Sequence, residues 1–236
     1  MRTFSFSVAL LLLATSCRMN VDCVTSNSDP VRKDLPVASF TGVMSDGAID
    51  VDIVKGDAQR VEVEAPAELI ALVKTDVTGG VWTITTDKCY STNKPFRVHI
   101  TTTLLNSIGI DGSGNVHSED VFGADKSSFS IQGSGDIIVA GVNGKSVEAR
   151  IEGSGNITLN GTCTDLVANI SGSGDLRAMD LSANSAKVDI QGSGDAALTA
   201  ITELDARVEG SGNVRYRGKP KVTSKVEGSG AVVPAE

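Results

Sequence analysis

One heptapeptide limits what this chain can fold into: Ile151-Glu152-Gly153-Ser154-Gly155-Asn156-Ile157. The same pattern returns at Ile110–Val116, Ile131–Ile137, Ile170–Leu176, Ile190–Ala196, Val208–Val214 and Val226–Val232. Its first glycines stand at 112, 133, 153, 172, 192, 210 and 228, so successive copies are 21, 20, 19, 20, 18 and 18 residues apart. A fixed period of about 20 residues is the mark of a stacked repeat architecture.

Alternate residues of one repeat separate by chemistry. Val147, Ala149, Ile151, Gly153, Gly155, Ile157, Leu159 and Gly161 fall on one side. Ser146, Glu148, Arg150, Glu152, Ser154, Asn156, Thr158 and Asn160 fall on the other. That is the period-two pattern of half-buried β-structure, and it runs through Gly-Ser-Gly without a slip. Both glycines therefore count as inward. The expected reason is a sharp corner where the backbone approaches the opposite wall and leaves no room for a Cβ.

A hairpin array would reverse direction every few residues and show a turn signal at each reversal. Here one corner returns once per period, as in a β-solenoid. Asn143–Lys145 and Thr162–Asp165 are candidates for the other turns. The expected fold is all-β: a parallel β-helix of about seven Gly-Ser-Gly coils, right-handed by the general chirality of parallel crossovers. At a rung spacing of ~4.8 Å such a stack is about 34 Å long. Only 4% of the chain is aromatic, as a narrow core requires.

Residues 1–16 read as an export signal. Arg2 is followed by the apolar run Val8–Ala14, too short to span a bilayer. Ala14-Thr15-Ser16-Cys17 has the form of a lipobox, so cleavage before Cys17 and lipidation of Cys17 are expected, with ordinary secretion as the plainer alternative. Residues 17–34 are polar and aperiodic and read as a flexible tether. The formal charge is −8, or −9 without Arg2, which argues against nucleic acid as a partner. Cys23, Cys89 and Cys163 allow one disulfide with three pairings, and the sequence does not choose among them.

Residues 35–103 form a separate β region ahead of the solenoid at 104–236. Ala48–Val54 and Arg60–Glu64 alternate around Lys55-Gly56-Asp57-Ala58 and read as a hairpin. Ala67–Lys74 suits a short helix, and Val81–Thr85 and Phe96–Thr102 suit strands. The opener Phe40-Thr41-Gly42-Val43, then Gly47–Ile53 with Lys55-Gly56, then the Gly-Ser-Gly-Asp/Asn coils, resembles the autotransporter-adhesin head domain family, the GIN domain. The resemblance covers nearly all of residues 35–236. It implies a solenoid-like domain on exported, often lipid-anchored proteins of Gram-negative bacteria, and adhesion as the role. It implies no catalytic residues. No stretch of this sequence suits a membrane-barrel translocator, so self-transport is not expected.

The repeat carries three ladders of polar side chains. Ser113, Ser134, Ser154, Ser173, Ser193, Ser211 and Ser229 form a serine ladder, but a nucleophile needs a base, and His99 and His117 do not repeat with it. The serines therefore read as corner residues. Asn115, Asp136, Asn156, Asp175, Asp195 and Asn213 could gather oxygens for Ca²⁺, or could cap backbone groups at the turn, which is the simpler reading. Asp111, Gln132, Glu152, Gln191, Glu209 and Glu227 make a polar row that suits a solvated face or a binding strip. A polysaccharide-active β-helix enzyme needs paired carboxylates in a cleft, and no coil carries an insertion to wall one. Trp82, Tyr90 and Tyr216 are too scattered to make a sugar-stacking platform.

The sequence thus points to a non-enzymatic lipoprotein, anchored by Cys17 in the outer membrane, with no cofactor, metal or catalytic residue assigned. It would present a rigid β surface to a glycan or protein. The alternatives are the polysaccharide-active enzyme and a structural or sensory periplasmic module. The last coil leaves Val222, Val226 and Val232 without a following coil, so the N-terminal region or a second subunit is expected to cover that end.

Overall fold

The computed structural model describes residues 23–119 and 122–235. The chain is all-β, a parallel solenoid of about six turns. The expected count of about seven coils is slightly high. The N-terminal part contains β1 (Val24–Thr25), β2 (Val31–Asp34), β3 (Gly42–Gly47), β4 (Asp50–Lys55), β5 (Arg60–Ala65), the short helix α1 (Ala67–Ile70), β6 (Val77–Thr78), β7 (Val81–Ile84), β8 (Tyr90–Ser91) and β9 (Arg97–Thr102). The stack continues through β10 (Ser107–Gly112), β11 (Val116–Ser118), β12 (Phe122–Gly133), β13 (Ile137–Gly153), β14 (Ile157–Gly172), β15 (Leu176–Gly192), β16 (Ala196–Gly210), β17 (Asn213–Arg217), β18 (Lys221–Gly228) and β19 (Ala231–Pro234).

Each turn offers three paired segments. Between β13 and β14, Ser146–Gly153 pairs in parallel with Asp165–Gly172, Ile137–Val139 with Ile157–Leu159, and Val142–Gly144 with Gly161–Cys163. The inward set is as the alternation predicts: Val147, Ala149, Ile151, Ile157 and Leu159 are all buried, and their equivalents continue up the rod. Burying an aliphatic side chain of this size contributes about 1.5–3 kcal/mol, so each turn adds several such terms to the stack.

The corner departs from expectation in one respect. A Cβ on Gly153 would lie 2.2 Å from the Gly133 carbonyl oxygen, and one on Gly155 2.0 Å from that of Gly135. The close approach is to the preceding coil, not to the opposite wall. Gly133 O accepts both the Ser154 N–H at 2.9 Å and the Gly155 N–H at 3.2 Å. This double bond repeats at every step of the ladder and draws the corners together.

The N-terminal part is not separate from the solenoid. β3 pairs in register with β10, Gly47 facing Gly112, and β4 pairs with β11, Val51 facing Val116. Asp46-Gly47-Ala48-Ile49-Asp50 is thus a degenerate corner, and the boundary at 103/104 falls inside the stack. The expected hairpin is replaced by a different pairing. β9 lies between β4 and β5, parallel to the first and antiparallel to the second. β2 then pairs antiparallel with β5, and β7 extends the other face beyond β3.

These elements form a lid over the first turn. Leu69 and Ile70 of α1 are buried, and Trp82 is fully buried beside Phe40, ring centroids 5.6 Å apart. The Trp82 indole N–H donates to Lys74 O at 3.0 Å, which satisfies its polar atom. The segment expected as a tether is folded from Cys23 onward. Cys23 is bonded to Cys89, β1 pairs with β8, and β2 joins the sheet. Cys17 lies outside the described residues. The lid also sits at the end opposite the one expected. It covers the N-terminal turn, and among the described residues nothing packs over the outer edge of β18, where Val226 is 39% exposed.

Candidate binding surface

The solenoid sends three kinds of ladder to its surface, and each answers one question about chemistry. The corner serines are exposed, and it is their backbone N–H groups that bond the coil below. His99 is engaged by other partners. It sits on β9 with its Nε2 3.1 Å from Glu64 and its Nδ1 3.5 Å from Asp52, while His117 faces Glu119 at 3.7 Å. Among the described residues neither histidine is hydrogen-bonded to a corner serine. Arg32 and His99 hold the Glu64 carboxyl below its ordinary pKa, chiefly through the Arg32 hydrogen bond at 2.6 Å. This group knits β2, β5, β9 and β4 across the open sheet face of the lid.

The Asn/Asp ladder is a chain of hydrogen bonds. Asp136 Oδ1 accepts from the Asn156 N–H at 2.9 Å and from its Nδ2 at 2.8 Å. Asn156 Oδ1 accepts from the Asp175 N–H, Asp175 from Asp195, and Asp195 from Asn213 by both nitrogens. The ladder begins one rung earlier than the repeat announces, at Asp50, which accepts from the Asn115 N–H and Nδ2. These oxygens cap the backbone of the next coil, the simpler of the two sequence readings.

The third ladder lines a concavity. The polar row before the corner and the outward row two residues earlier lie side by side on the face built from β3, β10 and β12–β15. Between them runs a trough in two basins. One, of about 500 Å³, is lined by Asn169, Ser171, Asp189 and Gln191. The other, of about 380 Å³, is lined by Met44, Asp46, Thr83, Asp111, Ser130 and Gln132. Arg150 and Glu152 border both basins. Their ion pair at 3.2 Å, with Gln132 Nε2 donating to Glu152 at 3.2 Å, forms the ridge between them. Short side chains at Ser130, Asn169 and Ser171 make the hollows on either side.

The polar row was visible in the sequence as Asp111, Gln132, Glu152 and Gln191. The companion row containing Asn169 and Asp189 was not singled out, although the same parity places it outward. Glu209 and Glu227 continue the row beyond the trough, toward the open end. Trp82 is buried in the lid and offers no sugar-stacking surface; Tyr90 packs against Phe96 at 5.0 Å. Cys163 is buried and unbonded, and burial, helped by Asp165, pushes its thiol up to about 11. That is the state of a packing residue rather than a reactive one.

Residues 39–220 match the family described as "Putative auto-transporter adhesin, head GIN domain". No curated protein matches the chain. Among solved structures, one described as a putative adhesin from Bacteroides fragilis superposes with a TM-score of 0.84 at 22% identity, covering 90% of this chain and 100% of its own. A protein described as a putative lipid binding protein from Parabacteroides distasonis gives 0.75 at 21% identity, over 90% and 99%. A putative adhesin from Parabacteroides distasonis gives 0.72 at 26% identity, over 91% and 100%.

Proposed function

The chain belongs to the auto-transporter adhesin head GIN domain family, and from that premise we propose that it is a non-enzymatic, lipid-anchored surface module that binds an extended glycan along the trough. The observation that carries this reading is the trough itself. It crosses the strands, so a linear ligand lying in it meets a new rung roughly every 4.8 Å. That spacing is close to the repeat of an extended hexopyranose chain. Each rung supplies a planar carboxylate, amide or guanidinium group: Asp111, Gln132, Glu152 with Arg150, Asn169, then Asp189 with Gln191. A protein ligand is commonly held by aromatic anchors, and none of the residues lining the two basins is aromatic. A lipid held inside the rod is disfavoured, because the apolar space beside Leu105, Phe129 and Val142 is only about 10 Å³.

The test is a screen of the purified protein against neutral and acidic oligosaccharides of six or more units, with a panel of extracellular proteins alongside. Asn169→Trp should fill one basin and reduce affinity for the bound glycan at least tenfold. Thr158→Trp, on the neighbouring face, should leave it unchanged. Equal losses from both variants, or binding only to proteins, would remove the trough from consideration.

The anchor is the second part of the reading. Cys17 precedes the bonded Cys23 by six residues, a reach of at most about 21 Å. A lipid on Cys17 would hold the lidded end against the bilayer and direct the open end outward. Cys17→Ser should release the protein from membranes or block signal cleavage, read by fractionation. Palmitate label persisting in that variant would contradict the assignment. Protease digestion of intact cells distinguishes display at the surface from a periplasmic location.

A further inference from the structure

The two ends of the rod are finished differently. The first turn is closed by antiparallel strands, α1 and the Trp82 cluster. At the other end β18 pairs with β16 along one edge, and among the described residues its second edge has no partner. Val222 and Val232 are partly buried against the core, and Val226 and Val233 are each 39% exposed. Such an edge presents unpaired backbone groups beside apolar side chains and is a template for another strand.

The sequence of β18 specifies which strand. Lys221-Val222-Thr223-Ser224-Lys225-Val226-Glu227 is approximately self-complementary about Ser224. Laid antiparallel against a second copy and centred there, Lys221 stands opposite Glu227, Val222 opposite Val226, and Thr223 opposite Lys225. The sides also agree. Val222, Ser224 and Val226 are in register with Leu204, Ala206 and Val208 and face the rod interior. The charged residues face outward in both copies. Glu227 holds Lys225 of its own strand at 2.5 Å and meets Lys221 of the second copy, so the pairing joins apolar to apolar and sets an anion between two cations.

We propose that β18 is a self-docking edge, on which a second copy of this chain pairs tip to tip around a two-fold axis through Ser224. A two-fold contact closes on itself and makes a dimer. Head-to-tail stacking into a filament is blocked, because the lid occupies the other end. Lys221 and Lys225, with Pro220 just before the strand, confine pairing to this short register. One rung gives a small contact, so association in dilute solution is weak and gains strength where many copies face one another. In the dimer the two lidded ends, each carrying its Cys23, lie at the far tips. The site is on the tip of the rod and does not depend on the trough or its ligand.

Sedimentation of the full chain, purified, from about 10 μM to about 1 mM tests this. The wild-type mass should rise toward twice the monomer. Lys221→Glu and Glu227→Lys should each weaken association at least tenfold, because each sets like charges face to face. Mixed one to one, the two variants should pair with each other, since the mixture restores opposite charges at both positions. Both side chains are exposed, so equal melting curves will show that folding is intact. A wild-type monomer across the whole range, single variants that associate like wild type, or a mixture that stays monomeric would each overturn the proposal.

Discussion

Gly155→Val should lower the unfolding free energy by more than about 4 kcal/mol, the range reserved for disrupted cores and strained backbones. The new Cβ would stand 2.0 Å from Gly135 O and 2.9 Å from the Ile131 Cγ2 methyl. The first neighbour is backbone, and the Gly133 carbonyl bonds fix that backbone in place, so relief requires opening the corner. Gly153→Val should be comparably severe for a second reason. Its φ of +128° is one that L side chains rarely adopt, and its Cβ would lie 2.2 Å from Gly133 O. Ser154→Ala, between the two and exposed, keeps its backbone N–H bond and should cost about 1 kcal/mol or less. Position along the rod matters as well. Gly230→Val meets Gly212 O at 2.1 Å, but it lies in the last rung and should only fray that end. Urea denaturation of the four variants checks this. Similar midpoints for Gly155→Val and Ser154→Ala would show that the corner is not the tight element of the stack.

The repeat was legible because it is written in backbone requirements. Two glycines per coil and strict alternation between them leave a chain few ways to fold, and side chains at the outward positions hardly disturb them. The lid was less legible. Its strands alternate like any others, but their partners depend on where β9 inserts, and nothing in Asp50–Lys55 or Arg60–Ala65 says that Arg97–Thr102 will come between them. Local spacing suggested a hairpin; the burial of Val98 and Ile100 against both neighbours won. The first corner was hidden because Ala48 and Ile49 replace Ser and the second Gly. Ile49 is tolerated there because no earlier Gly-Ser-Gly corner lies beneath it. Cys23–Asp34 looked like a tether because β2 has an exposed pattern throughout, and it is held by the disulfide and by ion pairs rather than by core burial. The binding row was half legible. Parity gives the side of the sheet, but the hollow arises from the sizes of neighbours on successive coils, which only the register brings together.

Loss of the Cys23–Cys89 bond should produce the second large effect, confined to the lidded end. The bond closes a loop of 66 residues in sequence, for which the chain-entropy estimate is about 4 kcal/mol. That loop contains β1–β7 and α1, so it spans the elements whose pairings are non-local. Without the bond, β1 retains its two-residue pairing with β8, the residues after it retain the Ser26 and Ser28 bonds to Glu68 and the Asp29–Lys94 pair, and β2 retains its edge on β5 with the Arg32–Glu64 and Arg60–Asp34 pairs. Exposed ion pairs of this kind contribute at most about 1 kcal/mol each. A solenoid passes strain mainly to nearest neighbours, so the turns beyond β12 should hold while the lid loosens. The expected result for Cys23→Ser/Cys89→Ser is faster amide exchange in β1, β2, β8 and α1, an earlier melting phase, and unchanged protection in β14 and β15. Cys163→Ser serves as the control, since it removes a buried thiol from the stack without touching the lid. Uniform loss of protection along the whole rod would mean that lid and stack unfold as one unit. No change in any segment would mean that the bond follows the fold without securing it.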